Sequence, residues 1–343
     1  MPPTTLLDCT LRDGGYHNQW QFSLPLVEAY LHAMASVGCI GVVELGLRTL
    51  SPPAQAGGCA TTTDEWIKSL TLPKTGQPLP ALAVMVHTNE WSQLPEGLPP
   101  IDDAHHPYLV SVLSRLFPAP HALVTKLTWV RLTCQAHQVT STLHAATWLH
   151  HRGYQVALNL AHVGQLSLAQ VQAVARQASP YPVGVLTLAD SGGALSPQQT
   201  RALITACKQA WPKPLGLHAH NNRGLALANT LAALEAGATW ADSTVAGMGR
   251  GPGNTATELL IQELAHQHNA WPQLATLWAF IHTFMQPLQQ QHQWGANLVY
   301  AYAGHKGIHP NKVQGLLSQA DSWPQQQWQA LQVFLQNASQ PMC

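Results

Sequence analysis

Short apolar segments alternate with amphipathic segments of helical length through roughly the first three quarters of the chain. The apolar runs predict eight strands, at residues 5–13, 39–47, 81–86, 123–134, 154–160, 183–193, 214–220 and 239–249. Helical patterns lie between them, and one helix starts after Ser196 with Pro197 at its first position. Eight such units predict a (β/α)8 TIM barrel, with a doubly wound open sheet as the alternative.

From about residue 257 the pattern is helical only. We therefore predict a catalytic barrel over residues 1–258 and a C-terminal helical region over 259–343. The helical region is rich in Gln and Trp. It either packs on its own barrel or forms a homodimer contact through apolar side chains at Trp278, Phe280, Trp328 and Phe334.

Composition excludes several classes of partner. Of the 343 residues, 46% are hydrophobic and only 9% are charged, and the net charge is zero. A neutral surface gives no electrostatic basis for binding nucleic acid or an anionic membrane. The six cysteines form no CxxC pair, and no secretory signal or membrane-spanning run is visible. We therefore expect a cytoplasmic protein with reduced thiols.

The strongest candidate for chemistry is a pair of histidines at the end of the seventh predicted strand. His218 and His220 are two residues apart, so their side chains point the same way. Arg12 and Asp13 end the first predicted strand, ahead of a sharp turn predicted at Gly14–Gly15, and active sites of such barrels lie at the C-terminal strand ends. One carboxylate and two imidazoles suit Mn²⁺ or Mg²⁺, with Co²⁺ or Zn²⁺ as alternatives. The structural alternatives are a pair of core histidines and a turn carboxylate.

Other polar residues lie on or just after the same predicted strands. Glu44 either takes part in catalysis or forms an ion pair with Arg12 or Arg48, and Arg131 and Asn159 are candidates for binding substrate.

The loops after the sixth and eighth predicted strands add less. We interpret Asp190 as a cap or loop residue rather than a ligand. The glycine-rich loop 247–253, which precedes Asn254, could present backbone N–H groups to an anion but is not a P-loop.

The absence of a suitable lysine favours metal chemistry. A Schiff-base aldolase needs a lysine inside the barrel, and Lys126 lies early in its predicted strand. Activation of a carbonyl would then depend on a metal, which can bind a 2-oxo acid and stabilise its enolate. This chemistry makes or breaks a carbon–carbon bond beside a carbonyl group.

Three motifs together resemble the metal-dependent pyruvate aldolase and lyase superfamily: DCTLRDGG, GLHAHNN and VAGMGRGPGN. Its members include 4-hydroxy-2-oxovalerate aldolase, hydroxymethylglutaryl-CoA (HMG-CoA) lyase, and isopropylmalate and homocitrate synthases. The resemblance covers about residues 5–260 and is closest to the hydroxyoxovalerate aldolase branch. It implies a TIM-barrel lyase acting on a 2-oxo acid.

The resemblance also implies roles for individual residues. Asp13, His218 and His220 would bind the metal, with Asn254 as a further ligand. Arg12 would stabilise the enolate oxygen, supported by Glu44.

The chain departs from the aldolases just after its RDG motif. Those enzymes carry a histidine there as the base on the substrate hydroxyl, whereas here Tyr16 stands nearest that place and His17 follows it. Either residue is a candidate. The synthases have Glu-Gln after RDG, which is absent here. The tail is also unlike the aldolase region that docks a partner dehydrogenase, so that partner is not carried over to this chain.

Four functions remain open from the sequence. The leading hypothesis is a divalent-metal aldolase that cleaves or forms a 4-hydroxy-2-oxo acid. The alternatives are a Claisen-type acyl-CoA synthase, a barrel that binds without turnover, and an iron oxygenase with two histidines and one carboxylate.

Overall fold

Eight parallel strands close into a barrel in the computed structural model, which describes residues 4–73, 78–118, 127–308, 310–317, 329 and 331–333. Each strand is hydrogen-bonded to the next, and β8 to β1. The predicted (β/α)8 TIM barrel is confirmed, and the open sheet is wrong. The strands are β1 Thr5–Asp8, β2 Ile40–Leu47, β3 Ala81–His87, β4 Leu127–Cys134, β5 Gln155–Leu160, β6 Val185–Asp190, β7 Leu215–Ala219 and β8 Trp240–Ser243.

Helices connect the strands and continue after β8, which confirms the predicted helical extension in the part of the tail that is described. The connecting helices are α1 Thr10–Asn18, α2 Leu24–Val37, α3 Gly58–Thr61, α4 Asp64–Ser69, α5 Asn89–Ser92, α6 Pro107–Leu116, α7 Val139–His151, α8 Leu168–Ala178, α9 Pro197–Lys208 and α10 Ala226–Glu235. The extension contains α11 Thr257–His268, α12 Ala275–Phe280, a π-helical segment Ile281–Met285, α13 Gln286–His292, α14 Leu298–His305 and α15 Pro310–Leu317.

The barrel interior is built in layers because inward-facing positions recur every two residues along each strand. A lower apolar layer contains Val42 and Trp240, and the ring of Trp129 lies 5.1 Å from that of Trp240. Two residues further along the same strands come Glu44, Arg131 and Asp242, all buried. A layer of charged side chains therefore lies above the apolar floor, toward the C-terminal strand ends.

The first strand is shorter than predicted. β1 ends at Asp8, because this buried carboxylate accepts hydrogen bonds from the Thr10 amide (2.9 Å), the Tyr30 hydroxyl (2.5 Å) and the Thr257 hydroxyl (2.5 Å). These bonds tie the strand end to three helices. The chain then turns directly into α1.

The metal-site candidates Arg12 and Asp13 consequently lie in the first turn of α1 and not on the strand. Gly14 and Gly15, which suggested a sharp turn, are inside the same helix. A Cβ atom on Gly15 would lie 2.0 Å from the ring of Trp20, and one on Gly14 would lie 2.7 Å from the sulfur of Met248. The glycines therefore serve close packing rather than chain reversal.

The predicted start of α9 is observed, and the connections after β2 and β3 contain short helices. The Ser196–Pro197 start of α9 is confirmed, with the Ser196 hydroxyl accepting a hydrogen bond from the Gln199 amide. Two short helices, α3 and α4, lie between β2 and β3, and a third, α5, follows β3.

The tail packs on the barrel at one of its predicted apolar positions. Phe280 is buried with its ring 5.9 Å from that of Tyr30 on α2, whereas Trp278 is 56% exposed. Trp328 and Phe334 lie outside the described residues, as does Lys126. The homodimer and the division at residue 258 stay predictions. Among the described helices, none has the length and apolarity to cross a membrane.

Candidate active site

Three buried side chains converge at the C-terminal end of the barrel. The Nε2 atoms of His218 and His220 lie 3.4 and 3.8 Å from Oδ2 of Asp13. His218 is on β7, His220 follows that strand and Asp13 is on α1. Donor atoms of these three residues all lie within 4.8 Å of one another. The structure thus brings together side chains from opposite ends of the barrel sequence.

The donor set fits a divalent cation. Two ligands that are each about 2.1 Å from one metal ion lie about 3 to 4 Å apart, as these atoms do. Oδ2 of Asp13 is buried without a hydrogen-bond partner among the described residues. A buried, unpaired carboxylate oxygen is costly unless a cation or a donor satisfies it. His218, His220 and Asp13 are therefore suited to hold the predicted metal.

Asn254 borders this cluster. Its Oδ1 is also buried, with no hydrogen-bond partner in the described part of the chain, and its Nδ2 lies 3.2 Å from Nε2 of His218. A Cβ atom on Gly249 would lie 1.7 Å from that Oδ1 and 3.2 Å from Oδ2 of Asp13. Glycine at this position therefore leaves space beside both oxygens, which is consistent with Asn254 as a fourth ligand.

Arg12 links the donor set to the charged layer below it. Its Nη1 donates to Oδ1 of Asp13 (2.5 Å) and its Nε donates to Glu44 (2.7 Å). Glu44 also lies 3.2 Å from Arg131. Arg48, the other partner considered for Glu44, instead pairs with Asp64. The Nη2 atom of Arg12 is buried without a partner among the described residues, and Arg12 lines the pocket.

Asp242 on β8 was not identified from the sequence. Its Oδ2 accepts a hydrogen bond from Nη2 of Arg131 (2.5 Å) and lies 3.1 Å from Nδ1 of His218. A carboxylate on Nδ1 of a histidine fixes the ring and leaves Nε2 free as a metal ligand. Arg131 itself does not line the pocket, in contrast to its predicted contact with substrate, because Asp242 and Glu44 hold it below.

The protonation states of Asp13 and His220 agree with cation binding. Burial would raise the pKa of Asp13, but the charge of Arg12 and the adjacent imidazole of His218 hold it well below the usual value. Burial keeps the pKa of His220 well below its usual value. Burial would also lower the pKa of His218, but the carboxylates of Asp13 and Asp242 beside its ring raise it. At neutral pH Asp13 is thus a carboxylate and His220 a neutral imidazole, the forms that bind metal ions.

A pocket of about 210 Å³ opens above the cluster. Of the residues predicted from the sequence, Arg12, Tyr16, Asn159, His218 and His220 line it. Oδ1 of Asn159 is buried without a partner among the described residues, so this amide can bind a ligand.

The two candidates after the RDG motif are separated by the geometry. Tyr16 lines the pocket, with its ring 4.7 Å from that of Trp20. His17 does not line it, because its Nε2 is 2.9 Å from the Gly249 carbonyl and its ring lies 5.9 Å from that of Trp294. Tyr16 is thus the candidate that can reach a substrate.

Three basic residues of the pocket were missed: His87, His162 and Arg250. His87 ends β3, and burial lowers its pKa to about 4, with help from the charges of Arg12 and Arg250. The alternation of β3 could have revealed His87, since it is four residues after inward-facing Ala83. Arg250 lies in the loop after β8, where periodicity gives no orientation. Asp190 accepts hydrogen bonds from the Ala194 and Leu195 amides, as expected of a loop residue.

Comparisons with known proteins agree with this fold. The family model described as HMGL-like matches residues 124–283. A 4-hydroxy-2-oxovalerate aldolase from Chloroflexus aurantiacus is 30% identical over 273 residues, which cover 76% of this chain and 68% of that relative. Another, from Carboxydothermus hydrogenoformans, is 49% identical over 85 residues, and the match spans only a quarter (25%) of that relative's length.

Solved structures extend the likeness to nearly the whole chain. The N-terminal domain of a Bacteroides vulgatus protein described as an aldolase is 26% identical with a TM-score of 0.74, and the alignment covers 92% of this chain and 96% of that one. HMG-CoA lyase from Bacillus subtilis shares the fold, at 17% identity and a TM-score of 0.62, over 86% of this chain and 96% of that one.

The (β/α)8 barrel and its donor set, together with these relatives, place the chain in a class of carbon–carbon lyases. The chain belongs to the HMGL-like family within the metal-dependent pyruvate aldolase and lyase superfamily. The class predicted from the sequence, a carbon–carbon lyase of the metal-dependent aldolase type, is confirmed at the level of this family.

Proposed function

We propose that the protein is a divalent-metal aldolase that forms or cleaves a 4-hydroxy-2-oxo acid, with pyruvate or a close analogue as one product of cleavage. The observation that carries this proposal is the convergence of Asp13, His218 and His220 beside an N–H group of Arg12 that has no partner among the residues the structure describes. The names of the aldolase relatives support the same reaction. When bound, the cation, Mn²⁺ or Mg²⁺, supplies Lewis-acid polarisation of the keto group.

Arg12 is the group that meets the charge developing on the substrate. Two of its nitrogens are fixed by Asp13 and Glu44, so the guanidinium is already oriented before substrate binds. The remaining Nη2 can donate to the enolate oxygen that forms when a proton leaves C3 of the 2-oxo acid. A preorganised donor of this kind stabilises a developing oxyanion without further reorganisation.

Tyr16 is the proposed acid–base group for the 4-hydroxyl. In the cleavage direction this hydroxyl loses its proton as the C3–C4 bond breaks and the aldehyde forms. In the reverse direction, aldol addition, the aldehyde oxygen regains a proton. Tyr16 lines the pocket, and a phenol can both give and take a proton, which supports this role. Asn159 is proposed to hold a substrate oxygen, and Asp242 and Arg131 to position His218 and Glu44.

Proton exchange tests the proposal without knowledge of the aldehyde. We expect the protein with Mn²⁺ or Mg²⁺ to exchange the methyl protons of pyruvate with D₂O, followed by loss of the methyl signal in proton NMR. The matched control is His218→Ala under the same conditions. A wild-type rate no greater than that of His218→Ala would refute the proposed function. Thiol release from acetyl-CoA in the presence of 2-oxo acids would instead indicate a Claisen-type synthase.

Replacing Tyr16 with phenylalanine removes only the hydroxyl. We expect Tyr16→Phe to slow release of pyruvate from 4-hydroxy-2-oxovalerate by about 100-fold, the lower end of the range for a general acid–base group. His17→Gln is the matched comparison, and it should slow the reaction far less because His17 faces Gly249. Pyruvate release can be followed with lactate dehydrogenase and NADH. The opposite order of effects would transfer the role to His17.

A further inference from the structure

Arg250 lines the pocket, and its guanidinium has no carboxylate partner among the described residues. Its Nε is buried without a hydrogen-bond partner, and no carboxylate lies within ion-pair distance of it in the described parts of the chain. Its Nη2 lies 3.5 Å from Nε2 of His220. Its guanidinium carbon lies 5.3 Å from the centre of the Tyr16 ring. A neutral imidazole and an aromatic face do not neutralise a partly buried charge.

The side chains that line the pocket also carry an excess of positive charge. Its only charged side chains among the described residues are Arg12 and Arg250, and both are cations. Arg12 is already paired with Asp13 and Glu44, whereas Arg250 is not. The charge of Arg250 also contributes to the lowered pKa values of His87 and His162, behind the main effect of burial. The field in the pocket therefore favours an anion.

A charge count shows that one singly charged 2-oxo acid does not neutralise all the positive charge around the pocket. Below the pocket, three carboxylates (Asp13, Glu44 and Asp242) face two guanidiniums (Arg12 and Arg131), which leaves one negative charge. A divalent cation and a singly charged 2-oxo acid together bring this sum to zero. Arg250 then remains as one unbalanced positive charge beside Tyr16, the group proposed to act on the 4-hydroxyl.

The loop holds Arg250 in place. The Gly251 amide donates to Oε1 of Gln314 on α15, and Nε2 of the same glutamine donates to the Tyr16 carbonyl (2.9 and 3.2 Å). Gly251 has a φ of +64°, and a Cβ atom there would lie 2.7 Å from Pro310. The helical tail thus fixes the loop of Arg250 against the helix of Tyr16, so the guanidinium is preorganised and little entropy is lost on binding.

We infer that Arg250 binds an acidic group on the aldehyde half of the substrate, so that the preferred acceptor is an aldehyde bearing a carboxylate or phosphate. The inference rests on the proposed function. In the addition direction C3 of pyruvate bonds to the aldehyde carbon, the C3 proton is lost and the aldehyde oxygen gains a proton. The acidic group takes no part in this step and pairs with Arg250 through charge-assisted hydrogen bonds.

Binding of unreactive analogues tests the inference without turnover. On the Mn²⁺-loaded protein, calorimetry compares 2-oxo diacids of five to seven carbons with 2-oxo monoacids of equal length, all without a 4-hydroxyl. We expect the best-fitting diacid to bind about 10- to 100-fold more tightly than its monoacid, the range expected of one charge-assisted hydrogen-bonded pair. Arg250→Met should reduce this ratio to near one, and Arg250→Lys should keep part of it. Arg201→Met, which removes an exposed arginine paired with Glu235, should keep the full ratio.

Turnover assays then distinguish an aldehyde that bears a carboxylate from one that bears a phosphate. Pyruvate addition to succinic semialdehyde is compared with addition to butanal, and addition to glyceraldehyde 3-phosphate with addition to glyceraldehyde. A wild-type protein that exchanges pyruvate protons but shows no preference for either charged acceptor or for any diacid would overturn the inference and leave the aldolase proposal intact. Equal weakening of diacids and monoacids in Arg250→Met would also overturn it, since Arg250 would then bind the first keto acid. A diacid preference without proton exchange would instead reject the aldolase proposal.

Discussion

His218→Ala is expected to abolish tight binding of a divalent ion and to reduce pyruvate proton exchange by at least about 1,000-fold. The variant removes one of three protein ligands, and a bound metal contributes several kcal/mol to stabilisation of developing negative charge. His218 is also the ligand whose orientation is fixed by Asp242. We expect the wild-type protein to bind one Mn²⁺ per chain, measured by elemental analysis after dialysis, and the variant to retain almost none.

Asp13→Asn provides the second test of the same site. Asparagine keeps the size of the side chain but loses its charge, so we expect weaker Mn²⁺ binding with the pair of histidines still present. His144→Ala is the matched control, because His144 lies on α7 beside Tyr181 and outside the cluster. Full Mn²⁺ content in both His218→Ala and Asp13→Asn, with circular dichroism like that of the wild type, would contradict the assigned donor set.

The sequence was sufficient for the barrel and for the pair of imidazoles. Alternation on a strand requires His218 and His220 to share a side, and their rings lie 5.1 Å apart. It was not sufficient for the path of the chain after β1. An apolar start followed by RDGG resembles a strand and its turn, whereas the end of β1 is set by hydrogen bonds that Asp8 accepts from Tyr30 and Thr257. These partners are distant in the sequence, so local propensity does not register them.

The charged layer below the site was hidden for a related reason. Asp242 lies in a segment that resembles an ordinary strand, and its partner Arg131 is 111 residues away on β4. Only closure of the barrel brings β4 and β8 to the same interior level. Arg250 was missed because glycine-rich loops have no periodicity that would orient a side chain. The neighbouring Gly251 lies against Tyr300, Pro310 and Gln314 in the tail, contacts that a local pattern does not contain.

Arg131→Met is expected to cause the largest loss of stability among single changes in the site. Arg131 is 1% exposed and is the cation shared by Glu44 and Asp242. Methionine fills similar space but leaves Asp242 without a cationic partner in the barrel interior. Breaking a buried ion pair from one side costs about 3 to 5 kcal/mol of unfolding free energy, because an uncompensated charge stays buried. Urea denaturation followed by tryptophan fluorescence measures this loss.

Two variants show whether uncompensated charge is the cause. Arg201→Met also breaks an arginine–carboxylate pair at 2.5 Å, but both partners are about half exposed, so we expect a loss below about 1 kcal/mol. The double variant Arg131→Met/Asp242→Asn should recover part of the stability lost in Arg131→Met, since the amide carries no charge to compensate. A double variant less stable than the sum of its single changes would indicate that packing, and not charge, gives Arg131 its importance. Recovery would show that Arg131 is needed to compensate the buried charge of Asp242, the carboxylate that orients His218.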